Sequence, residues 1–154
     1  MSLTQAEADR LLGMAKHPIE PEPFDFSRTQ PMDYKRELRS ADRREQFYLD
    51  VERGMRKRVR LRYQTRARKV IVLARLDIEG ARHVNPPVAP HRPGEDLGHT
   101  HLHLYREGFE DRVAFRLEDV IGWSVPLSSD DLLVFEEFLR YCHVVHLPGI
   151  QTAI

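Results

Sequence analysis

Three histidines recur at every second position of the segment GHTHLHLY, at His99, His101 and His103, and we call them the histidine row. Alternate side chains of a β-strand point to opposite faces, so the row and Tyr105 are predicted to share one face. The leucines between them belong against a core, which directs the imidazoles towards solvent. Imidazole titrates near neutral pH and is a common metal ligand, so the row suits acid–base chemistry or metal binding.

The metal-free chemistry that fits these residues is cleavage of RNA by its own 2′-hydroxyl. This reaction needs a base, an acid for the leaving oxygen and a cation beside the phosphate. Histidines of the row supply the first two, and Arg75 with Tyr105 supplies the rest. No cofactor is required on this interpretation.

The alternative is a divalent metal held by the row. The predicted ligands are His99, His101 and His103, with His83 or His91 from the preceding loop region as a further ligand. The last two histidines and Glu107 also fit part of a cupin metal motif, but the leading glycine and the second half of that motif are missing. A third interpretation, in which the histidines only hydrogen-bond to loops, stays open.

A second periodic segment is basic. Val59, Leu61 and Tyr63 are predicted to face the core, which places the alternating arginines on the outer face. The predicted nucleic-acid-binding side chains are Arg56, Arg58, Arg60, Arg62 and Arg66. Same-face positions lie about 6.6 Å apart, close to the phosphate spacing of a nucleic acid strand, and arginine binds phosphate with a two-pronged fork. A solvated face or a guarded sheet edge explains the same pattern.

The net charge is zero, with 24 basic and 24 acidic residues, but the charges are unevenly distributed. Residues 35–75 hold 15 Lys or Arg against 5 Asp or Glu, a local balance of +10 that the flanking segments cancel. This asymmetry predicts either an anionic partner for the basic segment or mutual neutralisation within one fold.

Length and composition predict one domain over residues 1–154. The 154 residues are 41% apolar, enough for a substantial core. No stretch approaches the roughly 20 apolar residues of a membrane span, and the first residues do not resemble a signal peptide. The single cysteine, Cys142, fits a reducing compartment and is expected to be an inert buried thiol. We therefore expect a cytoplasmic protein without a membrane partner.

The predicted fold is α+β, with an antiparallel sheet of about five strands over residues 35–120. A capping box at Thr4 and Glu7 begins an N-terminal helix over residues 1–16. Four prolines make residues 17–34 an extended arm. A C-terminal helix over residues 128–143 is expected to begin with a capping box at Ser128 and Asp131, and both helices should cover one sheet face.

Several segments resemble a family of short, uncharacterised bacterial proteins. They are LTQAEADRLL, RYQTRARKVIVLARLDIEGARHVNP, GHTHLHLYREG and FLRYCHVVHLPGIQ, so the resemblance runs from Leu3 to Gln151. It implies a compact protein that stands alone and carries no activity across.

A looser resemblance concerns TumE-type components of bacterial toxin–antitoxin systems. The order RLD, then a histidine before Asn85-Pro86, then HTHLH is similar to the core of those sequences. The resemblance implies site residues at Arg75, Asp77, His83, His99, His101 and His103. This chain differs by its N-terminal helix, its proline arm and a longer loop at 85–98.

Together these features lead to one hypothesis and two rivals. The leading hypothesis is a toxin–antitoxin-like RNA-binding protein or metal-independent ribonuclease, with RNA or a cognate antitoxin-like protein as partner. The rivals are a non-catalytic module that binds protein or nucleic acid, and a metal-dependent enzyme that uses the histidine row.

Overall fold

The computed structural model describes residues 2–20, 22–54, 61–145 and 150–153. The elements, in chain order, are α1 (Gln5–Gly13), β1 (His17–Pro18), β2 (Phe24–Ser27), β3 (Met32–Arg39), β4 (Gln46–Arg53), β5 (Leu61–Ala67), β6 (Ile71–Ile78), β7 (His83–Val84), β8 (Asp96–Gly98), β9 (His101–Leu104), β10 (Ala114–Phe115), a 3₁₀ turn (Leu117–Asp119), α2 (Asp131–Tyr141) and β11 (Ile150–Ala153).

The main sheet orders its strands β1-β3-β4-β5-β6-β9-β10, and every neighbouring pair is antiparallel. Two small pairs lie outside it, the parallel β2–β11 and the antiparallel β7–β8. This confirms the α+β class with a mostly antiparallel sheet. The predicted strand number was too low, because the described part of the main sheet has seven strands.

The two additional strands, β1 and β3, come wholly or partly from the segment predicted to be an extended arm. Pro18 lies in the two-residue edge strand β1, where its missing N–H costs no sheet hydrogen bond. β3 begins at Met32 rather than 35. Its run of charged residues hides the two-residue period, in which Met32 and Leu38 are buried while Asp33 and Lys35 are exposed.

The N-terminal helix begins as predicted and ends earlier. The Thr4 hydroxyl accepts a hydrogen bond from the Glu7 amide, and Leu3 and Ala8 are both buried beside it. The helix ends at Gly13 rather than at residue 16, because the next residue, Met14, is already extended.

The C-terminal helix is shorter than predicted at both ends. Asp130, not Ser128, caps it by accepting from the Leu132 amide, and its carboxylate also pairs with Arg28 at 2.6 Å. A carboxylate at a helix N-terminus is favoured by the helix dipole. The last helical residue is Tyr141. The predicted stop at residues 148–149 lies outside the described residues.

Helix α2 covers one face of the sheet. Phe135 and Phe138 pack on Tyr63 of β5 with ring centroids 4.9 and 6.0 Å apart, and Phe26 of β2 stacks on Phe135. Cys142 is buried as predicted, and burial raises the pKa of its thiol to about 11. In the described part of the chain, no helix has the length and apolar character needed to cross a membrane.

Lys16 joins the ends of the two helices without reaching solvent. Its ammonium donates to the backbone carbonyls of Leu12, Met14 and Cys142 at 2.8, 2.9 and 2.7 Å. Carbonyls at a helix C-terminus lack partners within the helix and carry negative partial charge. One cation therefore satisfies the ends of α1 and α2 together.

Lys16 should make stability depend on alkaline pH. Burial lowers the pKa of Lys16 to about 8, whereas an unfolded lysine titrates near about 10.4. The folded state binds fewer protons between these values, so the free energy of unfolding rises with pH across that window, by at most about 3 kcal/mol. Urea unfolding between about pH 7.5 and 10 should show wild type gaining stability relative to Lys16→Met as the pH rises. The comparison is made between the two proteins because Cys142, whose pKa burial raises, contributes the opposite slope to both.

The matched control is Lys69→Met, at an exposed lysine, which should keep the rise. A difference between wild type and Lys16→Met that stays constant over the whole pH range would contradict the assignment.

Candidate functional site

The face of the sheet opposite α2 carries polar residues in register on three strands. Arg62 of β5 pairs with Asp77 of β6, which in turn pairs with His101 of β9. One step along the strands, Arg75 lies beside His103. Strand β6 therefore separates the arginine-rich strand from the histidines and places Arg75 and Asp77 between them.

Asp77 is the centre of this arrangement and is only 6% exposed. Its Oδ1 accepts a hydrogen bond from Arg62 Nε at 2.9 Å. Its Oδ2 lies 3.4 Å from Arg75 Nε, 3.6 Å from His101 Nε2 and 3.5 Å from His103 Nε2. One carboxylate is thus shared by two guanidinium groups and two imidazoles.

Backbone carbonyls fix the orientation of both imidazoles. His101 Nδ1 donates to the Gly98 carbonyl at 3.1 Å, and His103 Nδ1 donates to the Asp111 carbonyl at 2.8 Å. A carbonyl can only accept, so each Nδ1 carries the hydrogen and each neutral ring keeps a lone pair on Nε2. Both lone pairs are directed towards Asp77.

The charges of the cluster are set by burial and by the neighbouring cations. Burial alone would raise the pKa of Asp77, but the imidazoles of His101 and His103 and the guanidinium groups of Arg75 and Arg62 hold it well below its ordinary value. Burial lowers the pKa of His103, so its ring is neutral at pH 7. A neutral ring that keeps its Nδ1 hydrogen turns a lone pair towards the carboxylate, which is repulsive. The position between them therefore calls either for a proton on Nε2, as in the hydrogen bonds that lower the pKa of Asp77, or for a metal cation.

The geometry of these three side chains fits metal coordination. One ligand atom from each of Asp77, His101 and His103 lies within 4.8 Å of the other two, and we call these residues the ligand triad. Ligands about 2.0–2.2 Å from a tetrahedral metal lie about 3.3–3.6 Å from one another. The 3.5 and 3.6 Å separations between Asp77 Oδ2 and the two Nε2 atoms match this edge length.

His83 of β7 packs against the triad from outside the main sheet. Its ring centroid lies 4.6 Å from that of His103 and 5.4 Å from that of His101. Its Nε2 donates to the Arg112 carbonyl at 3.0 Å and to Asn85 Oδ1 at 3.1 Å. Burial lowers the pKa of His83.

Two residues absent from the predicted site, Asn85 and Asp111, hold the β7 segment and the turn at Asp111 over the two imidazoles. The buried Asn85 amide donates to the His91 and Ala114 carbonyls, and its oxygen accepts from the Ala114 amide at 2.8 Å. Asp111 orients His103 through its carbonyl and binds Arg75 at 3.0 Å through its carboxylate. The Asn-Pro pair indicates a turn at Asn85, but no pattern in the sequence points to Asp111.

The predicted histidine row is wrong at one end. Strand β9 begins at His101, so His99 precedes it and its Nδ1 donates to the Gly80 carbonyl at 3.0 Å. The prediction of a solvent-facing row is also wrong, since His101 and His103 are 1% and 2% exposed. The β7 segment and the turn that contains Asp111 cover them, which strand alternation does not reveal.

Tyr105 lies away from the histidines. The chain leaves β9 after Leu104, so alternation no longer controls the direction of the next side chain. Tyr105 is 3% exposed in the apolar core, and its hydroxyl accepts from the Leu3 amide at 2.6 Å and donates to the Leu3 carbonyl. The structure therefore places Tyr105 beside α1 rather than in the candidate site.

The other proposed metal ligands are engaged elsewhere. His91 stacks on Phe115 with a centroid distance of 4.1 Å and lies 3.4 Å from Asp119. Glu107 accepts a hydrogen bond from the Gln5 amide at the start of α1. Neither residue belongs to the ligand triad.

Several described arginines of the basic segment are paired with carboxylates. Arg66 binds both oxygens of Asp50 at 2.6 and 2.9 Å, and Arg62 binds one oxygen of Asp77. Arg68 pairs with Glu45, and Arg53 with Asp131. These ion pairs support mutual neutralisation within the fold. The predicted phosphate-binding residues Arg56, Arg58 and Arg60 lie outside the described residues.

Comparison with known proteins identifies the family. Residues 3–144 match the model of a family described as "Family of unknown function (DUF6978)". The chain belongs to this family. No curated protein and no solved structure matches the chain. This membership confirms the prediction of a family of unknown function. The looser resemblance to toxin–antitoxin components stays a prediction from the sequence.

Asp77 should be the more costly of two buried carboxylates to remove. Asp77→Ala leaves two guanidinium groups without their shared partner, which should lower the free energy of unfolding by about 3 kcal/mol. The matched control, Asp50→Ala, removes a carboxylate on the same sheet face that binds Arg66 and Gln64, and it should cost about 1 kcal/mol. Urea unfolding in a chelator measures both; equal losses would contradict the central position of Asp77.

Proposed function

We propose that this protein binds a transition-metal dication through Asp77, His101 and His103 and uses it as a catalytic centre. The observation that carries the proposal is the convergence of two imidazole lone pairs and one carboxylate oxygen within 4.8 Å. Carbonyl groups that hold the Nδ1 atoms of metal-binding histidines are a common feature of such centres.

The ligand types limit the choice of metal. Two imidazole nitrogens and one carboxylate oxygen suit Zn²⁺, Fe²⁺ and their neighbours better than Mg²⁺ or Ca²⁺, which prefer oxygen ligands alone. Structural zinc sites use four protein ligands, whereas catalytic sites use three and leave a position for water or substrate. The ligand triad of the described residues fits the second class.

A catalytic metal of this kind supplies a Lewis acid and an activated water. The residues around the triad have supporting tasks. Gly98 and Asp111 hold the imidazoles through their carbonyls, and Arg62 holds the far oxygen of Asp77. The cover formed by His83 and its partners keeps bulk water away from the ligands.

Metal binding should depend on the triad and not on histidine content. Untagged protein, stripped with chelator and titrated with Zn²⁺ by calorimetry, should bind about one equivalent. His101→Gln and His103→Gln should each weaken binding by at least about 100-fold, the upper end of the loss that follows removal of an outer-shell partner. His99→Gln is the matched control, since this histidine precedes β9 and bonds to the Gly80 carbonyl outside the triad, and it should bind as wild type.

The melting temperature of each stripped variant shows whether it folds. Saturating Zn²⁺ should stabilise wild type by about 2.7 kcal/mol at 100 times the dissociation constant. Fewer than about 0.2 equivalents bound to folded wild type would overturn the proposal, and so would unchanged affinity in both glutamine variants.

RNA cleavage without metal is the second candidate. The observation that favours it is the guanidinium group of Arg75, which lies beside two imidazoles. It would make the protein a toxin–antitoxin-like ribonuclease, with RNA or a cognate antitoxin-like protein as partner. The orientation of His101 and His103 argues against it, because both Nε2 atoms face Asp77, at 3.6 and 3.5 Å, and not a position that a nucleotide could take. This orientation is the reason that the metal centre ranks first.

Incubation of stripped protein with RNA in excess chelator separates the two candidates. The metal centre predicts no cleaved product under these conditions. Product that disappears in both His101→Gln and Arg75→Gln, with melting temperatures near wild type, would replace the metal centre by the ribonuclease. Binding without product, and with an affinity that falls steeply with salt, would instead support a non-catalytic nucleic-acid-binding module.

A further inference from the structure

The ligand triad lies in a group of charges that is already balanced. Arg62 and Arg75 carry two positive charges, and Asp77 and Asp111 carry two negative charges. A divalent metal bound to the triad would leave an excess of two positive charges in a buried place. Solvent reaches Arg62 and Asp111, but excess charge beside the buried Asp77 is costly, so the completed centre favours an anion.

Arg75 is placed to hold such an anion. Its terminal nitrogen donates to Asp111 at 3.0 Å, which fixes the plane of the guanidinium group. Its Nε–H is buried and has no hydrogen-bond acceptor among the described residues, although it lies 3.4 Å from the Asp77 oxygen that both imidazoles face. An unsatisfied donor therefore lies next to the position that the metal would occupy.

Asp111 also connects Arg75 to the surface. It lines a pocket of about 170 Å³ together with Val70, Val72 and Glu110. That volume holds several waters or one small ion. The Arg75–Asp111 pair thus lies between the pocket and Asp77 in the chain of contacts.

We propose, on the basis of the metal centre above, that the open coordination position takes a small oxyanion, a carboxylate or phosphate group, bound between the metal and Arg75. Guanidinium groups bind both anions through charge-assisted hydrogen bonds. One oxygen of the anion would coordinate the metal, and Arg75 Nε would donate a hydrogen bond to a second oxygen. Arg75 is therefore the residue that selects an anionic substrate.

The test uses full-length protein loaded with Co²⁺, whose visible absorption reports its coordination. Inorganic phosphate and oxalate are titrated separately, with chloride as a control for simple charge neutralisation. Wild type should change its spectrum with at least one oxyanion. Arg75→Gln should weaken that anion at least tenfold while retaining Co²⁺, and Arg75→Lys should recover part of the affinity. Arg66→Gln, which removes a paired arginine of the same sheet face, should behave as wild type.

The outcomes separate this inference from the proposed function. Failure of folded wild type to bind Co²⁺ overturns the metal centre and the anion site together. Bound Co²⁺ that responds to neither oxyanion, or responds equally in wild type and Arg75→Gln, overturns the anion site alone. A response to phosphate only assigns a phosphorylated ligand, and a response to oxalate only assigns a carboxylate.

Discussion

Asp77 keeps a negative charge at a position that water hardly reaches, and the polar side of the sheet is built to satisfy it. Strand β5 supplies Arg62 on one side, and β9 supplies His101 and His103 on the other. Arg75, two residues earlier on the same strand, adds a second guanidinium. An interior strand is the one place where a carboxylate can draw partners from both neighbours, so the register of three strands and the charge of one side chain are mutually dependent.

The two faces of the sheet are stabilised by different interactions. The face under α2 is apolar, with Tyr63, Phe135 and Phe138 in contact, and it supplies the hydrophobic stabilisation. The opposite face is polar, and its charges lie in pairs rather than in water. Asn85 and Asp111 make this possible, because they hold irregular chain segments over the imidazoles and satisfy the backbone groups there.

Ion pairs within the fold give several arginines of the basic segment a structural role. Arg53, Arg62, Arg66 and Arg68 are each bound to a carboxylate, and Asp131 and Glu7 among these come from the acidic flanks. These four arginines of residues 35–75 therefore have structural partners within the fold. A ligand has to compete with these ion pairs, whereas the unsatisfied Nε–H of Arg75 needs no such exchange.

The sequence by itself determined the class of the fold, the apolar side of β4, β5 and α2, the Thr4 cap and the buried Cys142, because each depends on local period or local hydrogen bonding. The looser resemblance grouped Arg75, Asp77, His83, His99, His101 and His103, and the structure brings all of these except His99 together. Only the tertiary structure decided that Asp77, rather than His99, completes the triad, since this follows from the pairing of β6 with β9. Only the tertiary structure shows that the imidazoles are buried and that Tyr105 lies in the core. The burial depends on chain segments that cover the strand, and the position of Tyr105 depends on where the strand ends. Alternation along one strand encodes neither.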